Sequence, residues 1–156
     1  MFTNSREGAT LTLNLMAFLK KIIRGGQTGV DTAALRLGIS MGIPHGGWCP
    51  RGRKREDGVI PSRFRLQETS SSGYLERTRL NVKQSDGTVI FSIGERLRGS
   101  GRTAQFARKL RKPFLHLSAR QLGADHRATL RRFIRQHQIR VINIAGSRKS
   151  QEPAAG

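Results

Sequence analysis

The sequence has little of what an extracellular or membrane-embedded protein needs. Cys49 is its only cysteine, so an intramolecular disulfide and a zinc site of the CxxC type are both excluded. No apolar run reaches the roughly 18 residues of a membrane-spanning helix, because Asn14 interrupts the run over residues 9–19. That run also lacks a small-residue cleavage site, so we expect no signal peptide. We therefore predict a cytoplasmic protein that makes no use of a membrane.

Acidic residues are also scarce. Asp and Glu total 10 against 29 Lys and Arg, which gives a formal net charge of +19, and 22 of the 29 basic residues are Arg. Arg binds phosphate and carboxylate in a bidentate fork, so we expect an anionic ligand or partner. Charge alone favours nucleic acid, nucleotide and phosphorylated metabolite equally, and it predicts non-specific retention on polyanions at low salt. Homo-oligomerisation stays open.

The 156 residues fit one domain, in which apolar β-prone runs alternate with helical patterns. This alternation predicts an α/β fold, with a mostly parallel sheet between layers of helices. We expect an N-terminal extension over residues 1–19, a ligand-binding domain over 20–150 and a flexible tail over 151–156. Strands are predicted at residues 18–24, 43–49, 87–93, 114–117 and 139–145, and helices at about 30–41, 73–84, 103–112 and 124–138.

A glycine-rich loop follows the first predicted strand and opens a helix. Glycines let the backbone approach a ligand closely, and the free N–H groups of a helix start favour an anion. The loop matches neither the Walker pattern nor GxGxxG, and a tight turn with its carboxylate at the helix start is the alternative. The candidate ligand residues are Gly25, Gly26, Gln27, Thr28 and Asp31.

Two further turns at strand ends carry polar or basic residues. The turn after the strand at 87–93 can form a backbone anion nest, with candidates Gly99, Ser100, Gly101, Arg102 and Thr103. The turn after the last strand offers Gly146, Ser147 and Arg148 to a phosphate, or else begins a tail. Because ligands of open α/β sheets bind at the carboxyl ends of the strands, we expect the three loops to border one crevice.

The segment between the first two of these loops holds isolated candidates, each with a structural alternative. Trp48 can stack on a flat ring or pack in the core. For Cys49 we favour ordinary burial over a role as a metal ligand, so no metal site is predicted. Glu56 and Asp57 can bind hydroxyls or act as acid and base, or they can pair with Arg51, Arg53 or Arg55. Glu68 is a candidate acid, or else its charge stabilises the start of a helix. Arg77 and Asn81 can reach the crevice or bond a loop.

Several long motifs, in fixed order, are similar to a known family: IIRGGQTGVDTAAL, GIPHGGWCPRGRKREDG, LQETSSSGYLERTRLNV, SDGTVIFSIG and INIAGSR. Over residues 21–150 the chain resembles the bacterial family named "putative molybdenum carrier proteins". That family is a circularly permuted branch of the Rossmann-like superfamily that also contains the cytokinin-activating phosphoribohydrolases. The resemblance implies a Rossmann-like three-layer sandwich whose closing turn, Ile144 to Arg148, opens the domain in unpermuted relatives.

The resemblance also implies a site. It assigns Gly25, Gly26, Thr28 and Asp31 to the family's ligand loop, and Arg51, Glu56, Asp57, Glu68, Arg77, Thr78 and Asn81 to the motifs that follow. The loop over residues 99–103 departs from the family's Thr-Gly-Gly-Thr-like sequence. It also lacks the catalytic Glu of the phosphoribohydrolases, since Phe106 stands three residues after Thr103.

Three functions follow as expectations. The favoured one is a carrier for a phosphate-bearing ligand, with the molybdenum cofactor (molybdopterin) implied by the resemblance and Trp48 or Tyr74 facing its ring. The second is a hydrolase of nucleoside 5'-monophosphates with Glu68 as its acid, disfavoured because the loop Glu is missing. The third is a non-specific nucleic-acid binder, for which nine aromatic residues and no reading motif offer little support.

Overall fold

The computed structural model describes residues 17–30, 36, 39–40, 42–94, 97, 100–121 and 125–148. The predicted tail over 151–156 and most of the predicted extension lie outside these residues, as do Asp31 and Gly99. Residues Val30, Arg36, Ile39 and Ser40 are helical, in agreement with the helix predicted at 30–41.

Nine short strands and three helices with defined ends make up the described part of the chain. The strands are β1 (Lys21–Ile23), β2 (His45–Gly46), β3 (Trp48–Cys49), β4 (Lys54–Arg55), β5 (Gly58–Val59), β6 (Gln67–Glu68), β7 (Gly87–Ser92), β8 (Phe114–Ser118) and β9 (Val141–Gly146). The helices are α1 (Tyr74–Gln84), α2 (Gly101–Lys109) and α3 (His126–Gln136). Among these helices, none combines the length and apolar character that crossing a bilayer requires.

Five strands form one parallel sheet in the order β2-β1-β9-β7-β8. The last strand of the chain therefore lies in the middle of the sheet, between β1 and β7. If β9 is counted as the first strand, the order becomes 3-2-1-4-5, which is that of a Rossmann-type sheet. The predicted α/β class and the circular permutation are both confirmed by this topology.

The two faces of the sheet are covered by different helices. Helix α2 connects β7 to its outer neighbour β8, and α3 connects β8 back to β9, in the opposite direction across the sheet. Because both crossovers are right-handed, α2 and α3 lie on opposite faces. Phe133 and Ile134 of α3 pack on Val89 and Ile142 in the main core. On the other face α1 and α2 pack against each other, and α1 contacts β9. The sheet therefore lies between two layers of helices, as in the predicted three-layer sandwich.

A small second core lies beside the sheet, in the segment between β3 and α1. Cys49, Ile60 and Phe64 are buried together, with Leu66 packed against them. The β4–β5 hairpin and the β3–β6 pair frame this core. Burial raises the pKa of the Cys49 thiol, which keeps it protonated at neutral pH.

Arg53 organises this small core with its guanidinium group. Its Nη2 donates to the carbonyl oxygens of Pro61 (2.9 Å) and Phe64 (2.8 Å), and its Nε donates to that of Ile60 (3.2 Å). A single side chain thus satisfies carbonyl groups of a segment that has almost no regular structure.

The strand predicted at 43–49 is divided in two. Gly47 has φ +126°, and a Cβ atom there would lie 2.4 Å from the carbonyl oxygen of Arg24. The chain turns at this glycine, so β2 stays in the central sheet and β3 pairs with β6 instead. The predicted continuous strand was therefore wrong at this position, because a left-handed backbone cannot continue a sheet.

Candidate functional site

A cavity of about 290 Å³ opens at the carboxyl ends of β1, β7 and β9. It lies around the end of β9, where the crossover from β1 to β2 and the crossover from β7 to β8 run in opposite directions, which is the kind of point at which Rossmann-type sheets bind ligands. Its described lining residues come from the first loop, the start of α1, the start of α2 and the closing turn: Gln27, Tyr74, Leu75, Arg77, Thr78, Ser100, Arg102, Thr103, Ala145, Gly146 and Arg148.

The charge of the lining is of one sign. Arg77, Arg102 and Arg148 are on three different elements, and no Asp or Glu is among the described lining residues. The first turn of α2, which borders the cavity, contains no acidic residue either. A helix N-terminus adds the positive end of its dipole to these three guanidinium groups. The charge of the lining therefore favours an anion over a cation.

Cationic groups gather around the ring of Tyr74, at the first position of α1. The guanidinium carbon of Arg148 lies 4.7 Å from the ring centroid, that of Arg77 lies 5.5 Å away, and Nζ of Lys54 lies 5.7 Å away. Each distance is within the range of a cation–π contact. One aromatic ring thus joins cations from β4, α1 and the closing turn.

Arg77 is packed tightly under this ring. A Cβ atom on Gly25 would lie 1.8 Å from its Nη1 atom, so only glycine leaves room for the guanidinium. Burial, followed by the neighbouring charge of Arg148, lowers the pKa of Arg77 to about 10. The group therefore stays charged at neutral pH, close to a second positive charge.

The neighbouring Arg24, at the end of β1, is completely buried. Burial and the charge of Arg77 lower the pKa of its guanidinium well below the ordinary value. Several arginines are thus concentrated beneath one edge of the sheet.

In the glycine-rich loop, polar groups form hydrogen bonds with other groups of the protein. The side-chain oxygen of Gln27 accepts hydrogen bonds from the backbone N–H of Thr28 (3.1 Å) and of Glu56 (2.9 Å). The hydroxyl of Thr28 donates to the carboxylate of Glu56, which stands in the β4–β5 hairpin. Gly26 packs against Leu66 and Ile60. Of this loop's candidates that the structure describes, only Gln27 lines the cavity, and ligand contact by Gly25, Gly26 and Thr28 stays a prediction.

Several other predicted site residues lie outside the cavity and bond to loops. Asn81 is buried, accepts from the N–H of Trp48 (2.7 Å) and donates to its carbonyl oxygen (3.1 Å). Glu68 accepts from the N–H of Gly52 (2.7 Å). Asp57 pairs with Arg55 at 2.5 Å. For Asn81 and Asp57 the geometry matches the structural alternatives that the sequence left open, whereas Glu68 bonds a loop N–H rather than a helix start.

The remaining candidates also divide into residues that line the cavity and residues that do not. Arg77, Ser100, Arg102, Thr103, Gly146 and Arg148 come together in the cavity as the crevice argument expects. Arg51, Trp48, Gly101 and Ser147 are not among its lining residues. Leu75 and Ala145 line the cavity although neither was a candidate ligand residue, and of the two only Ala145 belongs to a loop that the sequence singled out, the closing turn. Their positions beside Tyr74 and Gly146 were the only available signal.

Comparisons with known proteins agree with this topology. Residues 22–156 match the family described as "Circularly permutated YpsA SLOG family" (cpYpsA). The chain belongs to this family. Its membership explains why the central strand β9 comes last, and it confirms that the fold is of the circularly permuted kind.

A solved structure is also similar to this cpYpsA-family chain. It is described as "Putative molybdenum carrier protein" from Syntrophus aciditrophicus SB, and it shares 44% sequence identity with a TM-score of 0.83. The similarity covers 88% of this chain and 87% of the other. No curated protein matches the chain. The family predicted from the motifs is therefore confirmed.

Proposed function

We propose that this protein is a binding or carrier protein that holds a phosphate-bearing small molecule in the cavity at the end of β9. The observation that carries the proposal is the lining: three arginines, two hydroxyl side chains at the start of α2, and no carboxylate among the described lining residues. Charge-assisted hydrogen bonds from Arg to phosphate are the strong, directional contacts that such a site requires.

The molybdenum cofactor is the candidate that family membership favours. The similar solved protein bears the name of a molybdenum carrier. The residues present fit the phosphate end of molybdopterin, because the arginine-rich lining suits a phosphate monoester. Tyr74 is the single aromatic residue among the described lining residues, and its ring already carries cations. We therefore assign the recognition of this ligand to its phosphate rather than to aromatic stacking.

The geometry gives less support to the phosphoribohydrolase alternative. A hydrolase that cleaves an N-glycosidic bond needs a carboxylate near the sugar to stabilise positive charge in the transition state. Glu68, the candidate acid, is outside the described cavity lining and bonds the backbone of Gly52. We expect binding without cleavage.

The proposal is tested by identifying what the protein retains. The protein is purified anaerobically, and native mass spectrometry measures the mass of any bound small molecule. We expect a phosphorus-containing species that the double variant Arg77→Ala/Arg102→Ala loses. The matched control is Arg108→Ala/Arg132→Ala, which removes the same charge from residues that do not line the cavity.

The outcomes separate the three functions. Loss of the ligand in the cavity variant alone supports the carrier. Equal loss in both variants indicates general attraction of polyanions, as the nucleic-acid alternative expects. A wild-type protein that retains nothing and binds neither inorganic phosphate nor AMP contradicts the proposal.

A further inference from the structure

The outward face of α3 carries a row of arginines. The helix has no Asp or Glu, and four of its eleven residues are basic: Arg127, Arg131, Arg132 and Arg135. At 3.6 residues per turn, these four positions lie within an arc of about 140°. Phe133 and Ile134 are buried on the other side of the helix, so the arginine arc is directed away from the core. Arg127, Arg132 and Arg135 are exposed.

The arginine face is electrostatically unfavourable for the helix itself. Arg127, Arg131 and Arg135 follow one another at a spacing of four residues, and like charges at this spacing destabilise a helix. Arg127 lies in the first turn, where the helix dipole disfavours a cation; only Arg135, in the last turn, suits the dipole. Within the described part of the chain, none of the arginines on this face forms an ion pair. Such breaches of local rules are expected at functional surfaces.

A groove of about 570 Å³ lies against this face. Its described lining residues all belong to α3 and include no carboxylate: Ala128, Arg131, Arg132, Arg135 and Gln136. The small side chain of Ala128 lies between arginines on the arc, so a partner can approach the helix closely there. Because α3 covers the face of the sheet opposite to α1 and α2, this groove is separate from the cavity at the end of β9.

We propose that the arginine face of α3 binds the sugar–phosphate backbone of a nucleic acid, independently of the cavity. Guanidinium groups bind phosphate through paired, charge-assisted hydrogen bonds. Arginines four residues apart are separated by about 6 Å along the helix axis, so the row offers regularly spaced charges to a polymer with regularly spaced phosphates. The formal net charge of +19 adds long-range attraction. Contacts with phosphates carry no sequence information, so binding is indifferent to base sequence.

Two other anionic partners fit this face less well. A helix that lies on a membrane inserts its apolar face into the lipid, whereas Phe133 and Ile134 of α3 are packed in the main core. An acidic protein would gain only the small free energy of exposed ion pairs. A nucleic acid also releases condensed counterions for each phosphate that is neutralised, which makes it the stronger partner for exposed arginines.

The proposal is tested by measuring how salt affects the binding of short DNA and RNA duplexes of arbitrary sequence. Fluorescence anisotropy compares wild type with the triple variant Arg127→Gln/Arg132→Gln/Arg135→Gln. Each lost phosphate contact should reduce the slope of log affinity against log salt by about 0.9. Three contacts thus contribute about fortyfold to the wild-type loss of affinity between about 50 and 200 mM salt. The variant should lack this contribution and bind more weakly at the lower salt concentration.

The matched control removes the same charge from exposed positions outside α3. It is the triple variant Arg63→Gln/Arg65→Gln/Arg79→Gln. We expect this control to retain the wild-type slope, because its arginines lie away from the proposed contact. The α3 variant should bind inorganic phosphate as wild type does, so failure of the proposed function is distinguishable from failure of this inference.

A second measurement uses the unaltered protein, so it does not depend on the stability of any variant. Phenylglyoxal modifies accessible arginines, and mass spectrometry identifies the modified positions. We expect a bound duplex to protect Arg127, Arg132 and Arg135 and to leave Arg63 and Arg65 reactive. Melting curves of the α3 variant should show no loss of stability, since the substitutions relieve repulsion between like charges.

The outcomes either support the arginine face or overturn it. Equal changes of slope in the two triple variants would show attraction by net charge alone, and the inference would be wrong. Protection of Arg102 in place of the α3 arginines would put the nucleic acid at the cavity and also overturn it. If polyglutamate displaces the duplex at equal charge, an acidic protein is the better partner and the proposal fails. Tighter binding of either duplex, with the α3 arginines protected, supports the surface and identifies the nucleic acid.

Discussion

The glycine-rich loop after β1 and the cavity at the end of β9 lie at the same edge of the sheet, yet they are completed in opposite ways. In the loop, Thr28 meets the carboxylate of Glu56, so a negative group of the protein contacts the loop. In the cavity, three arginines line a space without a described carboxylate. Glycine content therefore indicates where the backbone turns closely, whereas the arginine-rich lining indicates where we expect an anionic ligand to bind.

Arginine itself has two uses in this molecule. The guanidinium group of Arg53 donates hydrogen bonds to carbonyl oxygens of the small core, and residues 60–64 fold around it. Arg148 lies on an aromatic ring at the cavity, where its planar donors suit a ligand. A high count of Arg thus combines structural and functional roles that substitution can separate.

Arg53→Ala should have the largest effect on stability. It leaves several carbonyl groups of residues 60–64 without their donor, which we expect to lower the free energy of unfolding by about 2–4 kcal/mol. Chemical denaturation measures the change. Arg51→Ala, at an exposed position two residues earlier, serves as the control and should shift stability by less than about 0.5 kcal/mol. Equal losses in the two variants would contradict the structural role of Arg53.

Arg148→Ala should affect binding instead. Loss of a charged hydrogen bond is expected to weaken phosphate binding by about 1.5–3 kcal/mol, as measured by calorimetry. The melting temperature of the ligand-free protein should hardly change, because the lost cation–π contact is offset by relief of repulsion with Arg77. Arg108→Ala is the control, since Arg108 also lies over a ring, that of Phe114, but does not line the cavity. Early melting of Arg148→Ala would make the closing turn structural.

Gly25→Ala tests whether the glycine loop serves the cavity indirectly. The added methyl group displaces the Arg77 guanidinium. Forcing that side chain from its preferred conformation costs about 0.5–1.5 kcal/mol, so phosphate affinity should fall by roughly twofold to tenfold. Gly101→Ala is the matched control, because nothing lies within 4 Å of its added methyl group. If Gly101→Ala weakens binding more than Gly25→Ala, the backbone nest at the start of α2 is the better description of the site.

The smallest expected effect is on catalysis. Release of adenine from AMP should stay at the uncatalysed rate, and Glu68→Gln should leave that rate unchanged. Chromatographic detection of the free base checks both. Turnover at an enzyme-like rate that Glu68→Gln abolishes would restore the hydrolase alternative.

Sequence periodicity was sufficient for the class and the order of the main elements, whereas the permuted position of β9 was implied by the resemblance to a known family. Local patterns also located Arg77, Arg102 and Arg148, because strand ends and helix starts in an α/β fold converge on one edge. The other determining contacts join distant positions. Thr28 and Glu56 are 28 residues apart, and the ring that Arg148 covers belongs to Tyr74. No spacing rule connects such pairs. The carbonyl groups that surround Arg53 could not be predicted either, since irregular backbone leaves no periodic signal.

The central position of β9 has a consequence for folding. β1 pairs with β9, and β9 pairs with β7, so β9 alone joins the β1–β2 pair to the β7–β8 pair. During synthesis both pairs leave the ribosome before β9 does, and each exposes an unpaired edge until residues 141–146 arrive. Joining Lys21 to Val141 also closes a very long stretch of chain, a topology that folds slowly. We therefore expect nascent chains of this protein to depend on chaperones that shield strand edges during this interval.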